Sequence, residues 1–157
     1  MAKKEAKLLD GKKVSEKIHK ELKEKILSLK KGRSPGLAAV LVGDDEASHI
    51  YVGRKEKAAK VVGMYSEVHR LPKSVTEEEL LKLIQFLNDS QKIDGILVQL
   101  PLPPHLPSDL ILKSVSAEKD VDGFHPINLG KLLMGAPSFI PCTPKGIMKM
   151  FREYKID

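Results

Sequence analysis

The sequence predicts an α/β fold, a three-layer sandwich in which a mostly parallel sheet is flanked by helices. The first observation is that short apolar runs alternate with longer segments of helical periodicity, in the order helix, strand, helix, strand, helix, strand. The second is the length of 157 residues, which suits one domain. The third is a balance of 41% hydrophobic and 31% charged residues, which is typical of a globular protein and argues against disorder.

The first half of the chain is expected to hold two helices and two strands. Apolar residues recur at steps of three and four over 12–31, which predicts a helix. The continuous apolar run 37–42 predicts a buried strand. A second helix is expected over 48–62, ending at Gly63, and a second strand over 64–70.

The second half begins with a capping box at Thr76 and Glu79, whose side chains can bond free backbone amides at a helix start. That helix continues through Leu80, Ile84 and Leu87. The apolar run 93–100 predicts a third strand, and four prolines forbid regular structure just after it. The remaining expectations are a short helix at 109–115, a loop at 116–127, a short helix at 128–134, and a last helix with Thr143 as its cap and Pro144 in its first turn.

Composition excludes several classes of protein. The net charge is +6, but Lys and Glu are interspersed, aromatic residues are only 4% and there is no Trp, so nucleic acid is not an expected partner. One cysteine rules out a disulfide scaffold and a zinc site built from cysteines. No apolar run approaches the ~20 residues of a membrane helix, and no apolar core follows the basic start. We therefore expect a cytoplasmic chain without a membrane partner.

In open parallel sheets, binding sites form beyond the carboxyl ends of the strands. The helix after strand 37–42 places Ser48, Tyr51 and Lys55 three and four residues apart, on one face. Three small apolar residues extend this stripe, so it is interpreted as the packed face; they are Ala58, Ala59 and Val62. A lysine there is unusual. It is either partly desolvated and able to exchange protons near neutral pH, or a boundary residue whose ammonium reaches solvent.

Four further polar residues leave alternatives open. Gln99 ends an apolar strand, so its amide either orients a ligand or satisfies backbone groups. Asp120 and Asp122 lie two residues apart in a loop. The two carboxylates could bind a metal weakly, one of them could bind a planar N–H edge, or they could simply form a turn with Asx hydrogen bonds. Cys142 is either a nucleophile that needs a base or a small buried residue beside a helix cap. The five histidines lack the spacing of zinc ligands.

Taken together, four segments resemble ordered motifs of one family. The segments are S-H-I-Y-V-G-R-K-E-K-A-A (48–59), D-G-I-L-V-Q-L-P-L-P (94–103), K-D-V-D-G-F (119–124) and P-C-T-P-K-G (141–146). They are similar to motifs of the bifunctional methylenetetrahydrofolate dehydrogenase/methenyltetrahydrofolate cyclohydrolase family. The resemblance runs in order from about Leu8 to the end of the chain.

The resemblance implies a role for each matched residue. Lys55 corresponds to the catalytic lysine, and Tyr51 to the tyrosine that stacks on the aminobenzoyl ring of the folate. Gln99 contacts the lysine, and Asp122 holds the pterin edge. The other implied substrate-binding positions are Val52, Gly53, Arg54, Val98 and Leu100, with Ser48 and Cys142 in supporting roles. No metal is implied.

The resemblance also implies the reactions and the cofactor. The family oxidises 5,10-methylenetetrahydrofolate and hydrolyses the methenyl product to 10-formyltetrahydrofolate, as a cytoplasmic homodimer that serves purine biosynthesis. Its enzymes continue into a Rossmann domain that binds NADP or NAD, and no G-x-G-x-x-G turn occurs here. Residues 1–157 are therefore expected to be the catalytic domain, with the nucleotide-binding domain expected after 157 and not present in this chain. The alternative is a folate- or pterin-binding domain without turnover in isolation.

Overall fold

The computed structural model describes residues 6, 8–29 and 32–156. Within these residues the chain forms three strands and six helices. In chain order they are α1 (Gly11–Leu27), β1 (Gly36–Val42), α2 (Glu46–Val62), β2 (Tyr65–Leu71), α3 (Glu77–Asp89), β3 (Gly95–Val98), α4 (Ser108–Ser114), α5 (Pro126–Leu133) and α6 (Cys142–Tyr154).

The three strands form a parallel sheet in the order β2-β1-β3, with β1 at its centre. Alternate residues of β1 enter two separate cores because successive side chains point to opposite faces. Ala38, Val40 and Val42 pack with the buried residues of α3 and α4. Ala39 and Leu41 pack with α2 on the other face. The sheet therefore lies between two layers of helices, and the predicted three-layer α/β architecture is confirmed.

Two of the following three helix boundaries are those predicted, whereas α2 begins at Glu46, before the predicted start at Ser48. Asp45 caps α2 by accepting a hydrogen bond from the Ser48 amide at 2.7 Å. Gly63 ends the same helix in the left-handed region, with φ of 87°, where a residue without a Cβ is least strained. The capping box at Thr76 and Glu79 forms at the start of α3, as predicted.

Other boundaries correct the sequence prediction. The strand predicted over 93–100 is only β3 (Gly95–Val98), although the Gln99 amide still donates to the Val40 carbonyl. The first helix ends at Leu27, where Ser28 donates its hydroxyl to the Lys25 carbonyl; residues 30 and 31 of the predicted range lie outside the described residues. The Ser28 hydroxyl is thus a second donor to this carbonyl at the helix end, beside the Ser28 amide at 3.2 Å.

The last two helices begin earlier than predicted. The predicted loop 116–127 ends at His125, whose Nδ1 accepts from the Ile127 amide and so caps α5. The prediction that Thr143 caps the last helix is wrong, because α6 already begins at Cys142 and shows no side-chain cap. Pro144 still falls in the first turn, where the missing N–H costs no helical hydrogen bond.

Close approaches, one to backbone and one to a side chain, explain two glycines at the start of β1 and β3. A Cβ on Gly36 would collide with the Lys92 carbonyl, and one on Gly95 with the Val121 side chain. Arg33 reinforces this corner through a two-pronged ion pair with Asp94, which also accepts from the Gly36 amide. The corner fixes where β3 starts and therefore where its carboxyl end lies. Across the described ranges, no helix is both long and apolar enough to cross a membrane.

Candidate functional site

The site forms where α2 passes the carboxyl end of β3. The Lys55 ammonium donates a hydrogen bond to Gln99 Oε1 at 3.1 Å. Gln99 Nε2 in turn donates to the Leu100 carbonyl at 2.7 Å. That second bond fixes the orientation of the amide, because only its oxygen is then free to face the lysine. The structure thus brings together the two residues that the sequence had marked on separate elements.

The packing of α2 determines how Lys55 enters the site. The buried residues of the helix are Ser48, Val52, Ala59 and Val62, and half-buried Lys55 lies between them on the same face. Side chains on a helix lean toward its N-terminus, which directs Lys55 toward the strand ends. The interpretation that Tyr51 also belongs to the packed stripe is wrong: it lies at the edge of that face and is 57% exposed.

Asp122 reaches the same place through a parallel bridge. The segment before it runs beside β3, with Asp120 opposite Ile96 and the Lys119 carbonyl accepting from the Ile96 amide at 2.7 Å. Beyond this bridge the chain turns, with the Gly123 amide donating to the Asp120 carbonyl at 3.3 Å, and Asp122 in this turn is close enough to Lys55 for their charges to interact. Burial raises the pKa of the half-buried Asp122 carboxyl, while the Lys55 charge and a hydrogen bond with Cys142 act in the opposite direction.

Cys142 lies beside Asp122 at the start of α6. Its sulfur is 3.6 Å from the Val121 carbonyl oxygen. Loss of solvent around the sulfur and the neighbouring Asp122 carboxylate raise the pKa of the Cys142 thiol. A raised pKa disfavours the thiolate and with it a nucleophilic role. The other interpretation, a small buried residue, is wrong, because the residue as a whole is exposed.

The remaining predicted positions differ in what they offer. Ser48 is 2% exposed and holds its hydroxyl 3.5 Å from the Leu100 carbonyl, which suits a supporting role. Val52 and Val98 are buried in the two cores, so their side chains support the site from beneath. Gly53 borders open space and Arg54 is exposed. Leu100 contributes its carbonyl oxygen.

Sequence reasoning missed the side-chain partner of a buried carboxylate next to the site. Asp120 is 6% exposed, and its carboxylate accepts from the Gly123 amide, the His125 amide and Asn128 Nδ2. The Asx-turn interpretation therefore holds for Asp120, whereas Asp122 faces Lys55. The metal interpretation gains no support, since the described residues contain no group of three His, Cys, Asp or Glu side chains that could hold an ion. Asn128 carried no local signal, because its partners are distant in the sequence.

The fold and this geometry define a class: an open α/β domain with a lysine–amide pair and a nearby carboxylate at the carboxyl end of a parallel sheet. Residues 9–122 match the family described as tetrahydrofolate dehydrogenase/cyclohydrolase, catalytic domain. The chain belongs to this family, as its resemblance to the four motifs predicted.

Individual relatives agree with this assignment. The chain is 54% identical to the bifunctional protein FolD of Nautilia profundicola over 151 residues, which is 96% of this chain and 53% of that protein. Bifunctional enzyme FolD–methylenetetrahydrofolate dehydrogenase/cyclohydrolase from Campylobacter jejuni superposes with a TM-score of 0.93 at 54% identity, over 96% of this chain and 54% of that one. FolD of Trypanosoma brucei, solved with NADP and an inhibitor, superposes with a TM-score of 0.94 at 37% identity, over 97% and 53%. The chain thus spans about half the length of the relatives it matches.

Proposed function

We propose that residues 1–157 form the folate-binding catalytic domain of a bifunctional enzyme of one-carbon metabolism. The enzyme oxidises 5,10-methylenetetrahydrofolate to 5,10-methenyltetrahydrofolate and hydrolyses the latter to 10-formyltetrahydrofolate. The observation that carries this proposal is the hydrogen bond from Lys55 to Gln99, with Asp122 close enough for its charge to interact with Lys55. Membership of the family supports the same substrate class.

The three side chains suit different parts of a folate. The half-buried Asp122 carboxylate can accept two parallel hydrogen bonds from the N–H edge of a pterin. The exposed ring of Tyr51 offers a flat apolar surface for the aminobenzoyl ring. Lys55 lies on the same turns of α2, so a folate held at both ends would bring its one-carbon bridge to the ammonium.

Hydrolysis of the methenyl group requires a proton to move from the attacking water to the nitrogen of the C–N bond that opens. Water adds to the amidinium-like carbon and loses a proton, and one C–N bond then opens as its nitrogen gains a proton. Lys55 can carry that proton between the two sites as a general acid–base group. The neutral Gln99 amide holds the lysine in place without adding a negative charge that would trap the proton on it.

The oxidation requires NADP or NAD, which accepts the hydride when bound. The three strand ends described here do not suit its phosphates. Asp45 caps the N-terminus of α2, and Thr76 with Glu79 occupies that of α3. Acidic side chains at these positions repel a phosphate that would otherwise bind a helix N-terminus. After β3 come prolines, which lack amide donors. We therefore assign to these residues only the positioning of the one-carbon bridge.

A second candidate function is folate or pterin binding without turnover by this domain alone. It is favoured by the same lack of fit to a dinucleotide. We also propose, from the family assignment, that the intact enzyme is a cytoplasmic homodimer that supplies purine biosynthesis, without nucleic acid or a metal as partner. Sedimentation of the intact enzyme tests its oligomeric state.

Replacement of Lys55 by Met in the full-length enzyme tests the first proposal. We expect cyclohydrolase turnover to fall by about 10²–10⁴, the usual contribution of a positioned proton carrier. Dehydrogenase turnover should fall less, because hydride transfer does not need the ammonium proton. Lys57→Met is the matched control, since Lys57 is exposed on the same helix. A folded Lys55→Met enzyme with wild-type cyclohydrolase turnover would remove Lys55 from the mechanism.

A further inference from the structure

The loop that carries Asp122 is built around a different carboxylate. Asp120 Oδ1 accepts from the Gly123 amide at 3.1 Å, and Oδ2 accepts from the His125 amide at 2.8 Å and from Asn128 Nδ2 at 2.9 Å. The backbone of residues 120–125 therefore curves around one buried side chain. Asp122 lies within this curve, so its direction depends on these bonds.

Asn128 connects the loop to α5 and to the preceding turn. Its side chain is fully buried, and Nδ2 donates to Asp120 Oδ2 and to the Ala117 carbonyl, both at 2.9 Å. Its Oδ1 receives no hydrogen bond from the described residues. Burial of an amide is costly unless its hydrogen bonds compensate, and only the two N–H groups do so here. The contribution of Asn128 is thus to hold Asp120 and Ala117 at a fixed separation.

The opposite side of the loop is fixed by β3. Ile96 pairs with Asp120, and the Val121 side chain packs over Gly95, where a Cβ would collide with it. With residues 120 and 121 fixed in this way, the Asp122 carboxylate lies close enough to Lys55 and Cys142 to interact with both.

We propose that Asp120 and Asn128 are positioning residues that aim the Asp122 carboxylate at the folate. Neither side chain is proposed to touch the substrate. Asp120 orders the backbone of the loop, and Asn128 anchors Asp120 to α5. The part of this inference that concerns folate rests on the proposed function, while the part that concerns the direction of Asp122 does not.

The first test is kinetic and uses the full-length enzyme with 5,10-methylenetetrahydrofolate. Asn128→Ala should raise KM about tenfold, the equivalent of one lost charge-assisted bond, and leave kcat within about twofold. In an Asp122→Ala background the same substitution should change KM by less than about twofold, because its effect passes through Asp122. A tenfold increase in both backgrounds would overturn the proposal.

Three variants separate positioning from general destabilisation. His125→Pro deletes another donor to Asp120, and the φ of −61° at His125 suits proline. It should reproduce the KM effect and its dependence on Asp122; an unchanged KM would contradict the proposal. His125→Ala removes the imidazole that caps α5 and keeps the amide, so it should leave KM within about twofold. Thr76→Ala removes the cap of α3 outside the loop, so it should lower Tm and leave KM unchanged. If Thr76→Ala raised KM as much as Asn128→Ala does, the effect of Asn128→Ala would be explained by a loss of stability, and the positioning role would be wrong.

The second test uses chain 1–157 and requires no activity. Cys142 is its one cysteine, is exposed and lies beside Asp122, so its reaction with a disulfide reagent such as dithiobis(nitrobenzoate) reports the position of that carboxylate. Asn128→Ala should speed this reaction several-fold at pH 8, because a displaced carboxylate no longer suppresses the thiolate. An unchanged rate would overturn the positioning role. A full-length wild-type enzyme without folate turnover would refute the proposed function alone.

Discussion

At the scale of single residues, the site combines one ammonium, one amide and one carboxylate, and burial of the carboxylate carries an energetic cost. Burial raises the pKa of Asp122, and Lys55 offsets this only in part. A folded pKa above the unfolded value means that the folded state binds the proton more tightly. Stability must therefore fall as pH rises through that interval. Functional carboxylates commonly carry such a cost.

Substitution of Asp122 by Asn tests this sign. The amide has similar volume and no charge to desolvate, so we expect Asp122→Asn to unfold at a higher Tm than the wild type at pH 7. The difference should shrink as pH falls below the ordinary range of an aspartate, where the wild-type carboxyl is also neutral. Thermal unfolding between pH 3 and 8 measures it. A lower Tm for Asp122→Asn at pH 7 would show that the attraction of Lys55 outweighs the burial.

At the scale of elements, the C-terminus of α3 depends on a side chain from a distant loop. The last turn of this helix contains no basic residue of its own. Lys119 instead donates to the carbonyls of Leu87, Asn88 and Ser90 at 3.1, 2.6 and 2.8 Å. A cation there satisfies free carbonyls and complements the negative end of the helix dipole.

We expect Lys119→Met to lower the free energy of unfolding by about 2 kcal/mol, the range for hydrogen bonds to a charged group. The control is Lys82→Met on the outer face of α3, where Lys82 pairs with Glu78 in solvent. Exposed pairs of this kind contribute less than about 1 kcal/mol. Urea unfolding of both variants measures the difference. Equal losses would mean that the three bonds of Lys119 contribute no more than a surface pair.

The sequence predicted those elements whose determinants are local. The capping box at Thr76, the ending at Gly63 and the apolar run of β1 each act within a few residues, and each is found where expected. The end of β3 depends on a distant partner, since the Gln99 amide bonds the Val40 carbonyl. The start of α5 is a local signal that the prediction missed, because His125 Nδ1 accepts from the Ile127 amide two residues further on. Lys119 lies about thirty residues from the carbonyls it binds. No local pattern contains such information.

At the scale of the whole molecule, the site could be predicted because parallel topology places every strand end at one edge. Lys55 and Gln99 are 44 residues apart in the sequence and 3.1 Å apart in space. The resemblance to four motifs named the residues, and the topology explains their convergence. Neither the resemblance nor the topology predicted that the first aspartate of D-V-D-G orders the loop while the second faces the lysine. That division depends on the bridge between Ile96 and Asp120.

Chain 1–157 should bind folate but no nicotinamide nucleotide with useful affinity. Tight binding of a dinucleotide needs amide groups that converge on its phosphates, usually at a glycine-rich turn before a helix. The turns after β1 and β2 instead present Asp45 and Glu79 at helix starts, and prolines follow β3. Calorimetric titration of the chain with NADP and with tetrahydrofolate compares the two. Micromolar affinity for NADP would mean that these residues form a nucleotide site by other means. The proposal that this domain only positions the one-carbon bridge would then have to be abandoned.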